Sequence, residues 1–351
     1  MRRVAVVITA RPSYSRIKTA LAALRAREDV ELQVVAAASA LVTRYGRIVD
    51  QIRADGFDVA AEVPAVVDGG GTRESAVSTG LLTAQLSTLF GNLRPDMVVT
   101  IADRHETLAT AIAASYQHIP LCHVQGGEVS GSIDDKVRNA VTQLADLHLV
   151  ATAGARDRVL ALRPGAEVHV TGCPSIDLAA EALRLGPLPG HDVVVLQHPV
   201  TGEADQAGVQ MQETIEALKG MDVLWFWPGE DAGGEDMSKA MRMAELHPVR
   251  NMEPLTFLRT LLGSGVLVGN SSVGIRECSF LGVPVVNIGT RQQGRERAGN
   301  VIDVTDGHIR ACVRIATETN LFNVNRTLYG DGHAGERIAG LIAGRRLERV
   351  A

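Results

Sequence analysis

Short apolar runs alternate with longer amphipathic stretches from one end of this chain to the other, and the alternation restarts once. That pattern specifies parallel β-sheets covered by helices on both faces. In the first half, strands are expected at residues 3–9, 30–36, 96–101, 121–125, 147–151 and 168–171. Helical spacing fills 14–26 (Ile17, Leu21, Leu24), 42–54, 75–93, 104–116 and 133–145. Residues 63–72, with Gly69-Gly70-Gly71, read as a flexible loop and a candidate lid. Three prolines (Pro174, Pro187, Pro189) and the glycines Gly186 and Gly190 crowd the stretch between Gly172 and Asp192, which marks a domain boundary. Strands then resume at 193–197, 223–227, 266–268 and 283–288. The expectation is α/β: two doubly wound Rossmann-like domains, over residues 1–175 and 190–330.

Composition narrows the class. A chain of 351 residues, 46% hydrophobic and 21% charged, has the profile of a soluble globular protein with a sizeable core. A net charge of −5 gives no electrostatic case for nucleic acid or an anionic membrane. The four cysteines (Cys122, Cys173, Cys278, Cys312) form no CxxC pair, which argues against a zinc site or a disulfide framework and for a reducing cytoplasm. The apolar run after Met1-Arg2-Arg3 is too short for a signal peptide or a membrane span, and reads as the first strand.

In open α/β sheets, ligands bind past the carboxyl ends of the strands. Two such edges facing each other would form one deep interdomain cleft. In the second half, residues 266–295 read as strand, turn, helix, strand and basic loop. Gly269 permits unusual backbone angles, and Asn270 or Ser271 can cap the next helix. Unpaired N–H groups at that helix tip, with the hydroxyls of Ser271 and Ser272, suit a phosphate. Glu277, about one and a half turns further in, suits sugar hydroxyls, as an acid does for ribose in dinucleotide folds. Arg291, Arg295 and Arg297 follow. An ordinary βαβ turn with a serine cap explains the same spacing equally well.

Four further places carry chemistry. Arg11 opens a helix after the first strand, either aimed at a phosphate or simply solvated. Asp103, before Arg104, stands where a helix N-cap would, or acts as a carboxylate base. His123 and Gln125 alternate onto one strand face, and Gly126-Gly127 would let a substrate approach the backbone. Glu128, Asp134 and Asp135 then cluster, and three close acids can supply an acid/base pair. Ser132 and Asp135 also fit a capping box. Clustered acids serve metals too, but the histidines lack ligand spacing and no metal is expected. His198, at a strand end, either binds phosphate or bonds a backbone carbonyl. Glu230 and Asp231 lie at the same edge.

Seven stretches together resemble the UDP-N-acetylglucosamine 2-epimerases, most closely the hydrolysing, sialic-acid-pathway branch. They are TARPSYSRIK from Thr9, Asp103-Arg104, GGEVSGSIDD from Gly126, QHPVT from Gln197, GNSSVGIRE from Gly269, NIGTRQQGRE from Asn287 and YGDG from Tyr329. The resemblance implies the GT-B fold, with a last helix (about 334–349, in a segment 331–351) crossing back to the first domain. It implies a homodimer, no metal, no redox cofactor, and UDP-N-acetylglucosamine or UDP as ligand. The chemistry implied is removal of the sugar C2 proton with expulsion of UDP, giving a glycal. Water then adds with inverted C2 to give N-acetylmannosamine, or UDP returns. Carried over, Ser271, Ser272, Arg11 and His198 hold the diphosphate, Glu277 the ribose, and Arg291 the sugar or phosphate side. Asp103 and Asp134 are the acid/base carboxylates, Arg104 supports them and Ser15 lines the sugar site. This chain departs from the family at Gln125, often Glu, for which Glu128 could compensate. It departs also at Ile101, where a His is expected, at Ala40, where His-Leu is usual, and at Gly229, commonly Asn. Two other functions fit the same residues: a GT-B glycosyltransferase using a UDP-sugar donor, and a non-catalytic nucleotide-sugar binder.

Overall fold

The valine- and alanine-rich runs form strands because β-branched side chains fit a pleated surface buried on both faces. The structure, a computed structural model, describes all residues except 44–45, 68–70, 131–132, 230, 251, 306, 319–323 and 346–351. The chain divides into two units, Met1–Glu128 with Ile133–Asp177 and His333–Ala351, and Val129–Ser132 with Leu178–Gly332.

The first unit holds a seven-stranded sheet. Its strands are β1 (Arg2–Ile8), β2 (Val30–Ala37), β3 (Val59–Val63), β4 (Met97–Ile101), β5 (Leu121–Val124), β6 (Leu147–Val150) and β7 (Val168–Val170), in the order β3-β2-β1-β4-β5-β6-β7. The second unit holds β8 (Val193–Leu196), β9 (Val223–Trp225), β10 (Val266–Gly269), β11 (Val285–Ile288) and β12 (Val301–Val304), in the order β12-β11-β10-β8-β9. Every strand pairing is parallel. Strand order reverses between β1 and β4 in one sheet and between β8 and β10 in the other. These are the two switch points where such sheets bind ligands.

Several elements differ from expectation. The helix expected over 14–26 is two, Arg11–Ser15 and Lys18–Arg25, broken at Ile17, whose φ of −136° is not helical. Ile17 is fully buried, so the break turns an apolar side chain into the core. The helix expected from 42 begins only at Ile48, because Arg47 before it is in the left-handed region at φ 36°. The proline-rich boundary segment holds a helix, Pro174–Leu185, since proline at a first helical position removes an N–H that has no partner there anyway. Strands β3 and β12 were not anticipated. Of the candidate lid, Gly69 and Gly70 lie outside the described residues, and Gly71 caps the helix Thr72–Leu93.

The helix Ala334–Gly344 packs in the first unit. Asp177 accepts from the backbone N–H of Ala334 (2.9 Å) and Gly335 (2.7 Å), two of the donors that a helix start leaves unpaired. Thr19 donates to the same carboxylate at 2.7 Å. No helix among the described residues is long and apolar enough to cross a membrane.

His123 and His148 are paired across β5 and β6 and are fully buried. Burial pushes the His123 pKa down to about 4, aided by the charge of Arg138, and that of His148 to about 3, aided by His123 and Arg163. The unfolded chain takes up these protons near pH 6.5, while the folded chain resists them until far lower pH. Stability from this source is therefore complete above pH 6.5 and falls as pH drops towards 4, by up to about 1.4 kcal/mol per pH unit for each histidine. In His148→Leu, the loss of unfolding free energy between pH 7.5 and 5.0, measured by urea titration, should shrink by roughly 2 kcal/mol. An unchanged loss would remove His148 from the account.

Candidate functional site

In the second unit, β8 and β10 end side by side at the switch point. Gly269 has φ 139°, and a Cβ there would stand 2.2 Å from the Leu196 carbonyl oxygen, so only glycine fits this approach. Asn270 is buried and does not cap the helix. Its side chain accepts from the His198 N–H (2.7 Å) and donates to the His198 carbonyl (2.8 Å), stapling one strand end to the other. The Asn270 carbonyl accepts from Gln292 (2.9 Å) and Arg291 (3.4 Å), which ties in the basic loop.

The backbone N–H of Gly229 donates to His198 Nδ1 at 2.9 Å, so the imidazole does not make the carbonyl bond considered from the sequence. With Nδ1 accepting, Nε2 carries the proton in the neutral ring and is a donor. Burial, and then the charge of Arg291, push the His198 pKa down to about 4, with Asp231 opposing. His198 therefore works as a neutral donor near pH 7. A Cβ on Gly229 would lie 3.0 Å from Nδ1, so the asparagine common in the family would crowd this bond.

Ser271 is the N-cap, its Oγ accepting from Val273 N–H at 3.4 Å. The helix it caps, Ser272–Ile275, is only four residues long. Arg276, with φ −101° and ψ −71°, interrupts it before a second short helix, Glu277–Leu281. Glu277 is thus the first residue of a new helix, not a position deep in the first one. So short a helix carries little macrodipole, and an anion here would be held by local N–H groups and hydroxyls. Glu277 is buried, beside Arg276, whose guanidinium lies 5.9 Å from the Tyr329 ring centre. Arg291 pairs with Asp231 at 3.4 Å. Glu230 lies outside the described residues.

In the first unit, Arg11 follows β1 as the first residue of the helix Arg11–Ser15. Ser13 fixes that turn: its Oγ accepts from the N–H groups of Thr9 (3.2 Å) and Ala10 (3.0 Å) and donates to the Ala10 carbonyl (2.6 Å). Ser15 donates to the Pro12 carbonyl at 3.1 Å. Asp103 follows β4 on the other side of the switch point. The N-cap of the helix His105–Ser115 is Arg104, without a side-chain cap bond, so the capping role considered for Asp103 is not the one it has.

Asp103 is held by Arg138, a fully buried residue of the helix Asp134–Leu144. Arg138 donates to Asp103 Oδ2 from both Nε (3.1 Å) and Nη2, and from Nη1 to the Glu128 carbonyl (2.6 Å) and Asp135 Oδ1. Burial works against the charge of Arg138; the charge and hydrogen bonds of Asp103 and Asp135 outweigh it and raise the pKa. Glu128 is buried, and Asp134 is half-buried in the first turn beside Asp135. Arg104 donates to buried Glu106 at 3.2 Å, and Ser39 donates to the other oxygen of Glu106 at 3.2 Å. The cation seen on Asp103 is therefore Arg138, while the bond seen for Arg104 is to Glu106.

The backbone around these acids is strained. Ala38, Ala102 and Gln125, each just past a strand end, have φ of 50°, 68° and 66°. Non-glycine residues in that region cost free energy and collect at functional sites. His123 Nε2 bonds the Ala102 carbonyl at 2.9 Å, pinning the turn that presents Asp103. Gln125 leaves the strand alternation because of its φ, and its amide donates to Cys173 Sγ at 2.7 Å. The two glycines after it serve packing. A Cβ on Gly127 would meet the Ala155 carbonyl oxygen at 2.1 Å, and one on Gly126 the His123 ring at 2.8 Å.

Ser132, half of the capping box considered from the sequence, lies outside the described residues; Ile133 is the N-cap and makes no side-chain cap bond. Among the described residues, no group of three or more His, Cys, Asp or Glu side chains could hold a metal ion. A cavity of about 530 Å³ in the first unit is lined by Arg156, His169 and Arg337 among others, away from these acids. Arg156 is paired with Asp157 (2.9 Å) and His169 with Glu167 (3.2 Å), so much of its charge is already met.

Arg138 and the Asn270 staple were not read from the sequence. Arg138 did leave a signal: it shares a helix face with Val141 and Thr142, both buried, at helical spacing.

Known proteins share this sequence pattern and this fold. The Legionella pneumophila UDP-N,N'-diacetylbacillosamine 2-epimerase (hydrolyzing) is 30% identical, over 96% of this chain and 94% of its own. A UDP-N-acetylglucosamine 2-epimerase of Neisseria meningitidis serogroup B is 27% identical, over 94% of this chain and 91% of its own. The crystal structure of UDP-GlcNAc 2-epimerase from Neisseria meningitidis bound to UDP-GlcNAc shares the fold, with a TM-score of 0.80 at 17% identity, covering 98% of this chain and 100% of that one. The sequence model of the family described as UDP-N-acetylglucosamine 2-epimerase matches residues 22–343, and the chain belongs to that family.

Proposed function

We propose that the chain is a hydrolysing 2-epimerase of UDP-N-acetylglucosamine, in which the second unit binds UDP and the acids of the first unit act on the sugar. The observation that carries this reading is the division of chemistry between the two switch points. Past β8 and β10 stand the N–H groups, hydroxyls and neutral histidine, and past β11 the arginine, that suit a diphosphate. Past β4 and β5 stand carboxylates around a buried guanidinium.

A carboxylate, Asp103, takes the C2 proton. The C2–H electron pair forms the C1=C2 bond, and the C1–O bond breaks with its electrons leaving on UDP. Charge develops on the diphosphate as the proton leaves, where donors from Ser271, Ser272, His198, Arg11 and Arg291 meet it. Glu277 binds the ribose. Water then adds its hydroxyl to C1 while a second acid, Asp134 or Glu128, delivers its proton to the opposite face of C2; the proton that water gives up restores that acid, and the one held by Asp103 passes to solvent. The products are N-acetylmannosamine and UDP. The active form is a homodimer of the cytoplasm, where the four cysteines stay reduced.

The Legionella relative favours one further reading, a UDP sugar with a second acetamido group, as its name states. Proton NMR of the products from UDP-N-acetylglucosamine and from UDP-N,N'-diacetylbacillosamine, each at the same concentration, separates them. The first reading expects free N-acetylmannosamine and UDP at the higher rate from UDP-N-acetylglucosamine. A higher rate from the diacetamido sugar would move the substrate to the second reading. Transfer of sugar to an acceptor, or UDP binding without any turnover, would overturn both.

A further inference from the structure

Resting on the epimerase reading, we infer that Arg138 is the positioning residue of the reaction: one buried guanidinium that sets the three acid-bearing segments in register and holds Asp103 as the base. The acceptors of Arg138 come from three places in the chain. Asp103 stands after β4, the Glu128 carbonyl after β5, and Asp135 is on the helix of Arg138 itself. Arg138 has no exposed surface, so its charge is compensated by these groups and not by water.

Geometry and charge both follow. A planar fork with donors on Nε, Nη1 and Nη2 fixes direction as well as distance, which a single ammonium cannot do. Two of the three segments it ties down begin from a strained strand end, Ala102 for Asp103 and Gln125 for Glu128. A cation in contact with a carboxylate also favours its ionised form. Asp103 is thereby suited to take the C2 proton and unsuited to donate one, so the returning proton comes from Asp134 or Glu128. His123, neutral above about pH 4, also faces the charges of Asp103 and Arg138, and Asp135 shares the guanidinium.

The test compares Arg138→Lys, Arg138→Gln and Asp135→Asn with the parent in a steady-state assay of UDP release, over pH 5 to 9. UDP affinity is measured separately by calorimetry. Arg138→Gln should lower kcat by about 1,000-fold and Arg138→Lys by about 30-fold, with KM and UDP affinity within about threefold of the parent. The acidic limb of the kcat profile should move up by about one pH unit or more in Arg138→Gln, because Asp103 loses its cation. Asp135→Asn should move the same limb down, since the guanidinium then serves Asp103 without a competing carboxylate. Guanidinium ion added to Arg138→Ala should restore part of kcat.

A fall in kcat with an unmoved acidic limb and no rescue would make Arg138 merely structural and overturn the inference. If the Arg138 variants fail to fold, Asp135→Asn decides alone: a limb that stays in place or moves up overturns it. Failure of the epimerase reading shows separately, as a parent that binds UDP and releases none from the UDP sugar.

Discussion

Asp103→Asn leaves UDP affinity within about threefold of the parent and lowers turnover by about 1,000-fold. The asparagine is nearly isosteric and keeps one acceptor oxygen for Arg138, so the fold of the turn after β4 is preserved. What is lost is the capacity to take a proton. The C2 hydrogen of an acetamido sugar is only weakly acidic, and an amide cannot remove it. UDP affinity is untouched because the groups assigned to UDP lie past β8, β10 and β11 of the second unit, apart from Arg11. Calorimetry with UDP and a coupled assay of UDP release give the two numbers. Turnover near that of the parent would take the base role from Asp103 and pass it to Glu128 or Asp134.

Asn270→Ala weakens UDP binding by about 10- to 100-fold and destabilises the second unit. Its side chain meets both backbone groups of His198, at 2.7 and 2.8 Å. Removing it leaves an N–H and a carbonyl in a part-buried place, each costing about 1–3 kcal/mol if unsatisfied. His198 then loses the position from which Nε2 donates. Because Ser271 and Ser272 follow directly, the hydroxyls at the helix tip lose their register too. UDP calorimetry at 25 °C, with a thermal melt of the same sample, measures both effects. Unchanged UDP affinity in a variant that melts earlier would reduce the staple to a packing role.

These two residues show what the sequence makes legible. The parallel strands are plain because Val4 to Ile8, Val193 to Val195 and Val266 to Val268 are apolar runs too short to be helices. Strand β3 was hidden by its lone charged residue, Glu62, and β12 by Asp303, which break the apolar pattern that burial on both faces would give. The positions past the strand ends were legible as well, since Asp103, His198 and Asn270 are polar residues within two positions of the ends of β4, β8 and β10. Their partners were not. Asp103 and Arg138 are 35 residues apart, and only the packing of the helix Asp134–Leu144 beside β5 brings them together. Asn270 and His198 meet across 72 residues because β8 and β10 are neighbours in the sheet, an order that follows from the crossovers and from no local spacing. The break at Arg276 escaped for another reason: VGIREC holds no proline, and its one glycine, Gly274, stands before the break, which falls where Arg276 and Glu277 are both buried.

The central claim is proton removal at C2, and one spectrum tests it. The parent protein is incubated with UDP-N-acetylglucosamine in D2O and followed by proton NMR. Deuterium at C2 of the released N-acetylmannosamine, with UDP appearing in equal amount, is the predicted result. Deuterium at C2 in an intact UDP sugar would keep the proton chemistry and contradict the hydrolytic outcome. UDP release with the C2 hydrogen fully retained would contradict the mechanism itself, because no glycal can form without losing it.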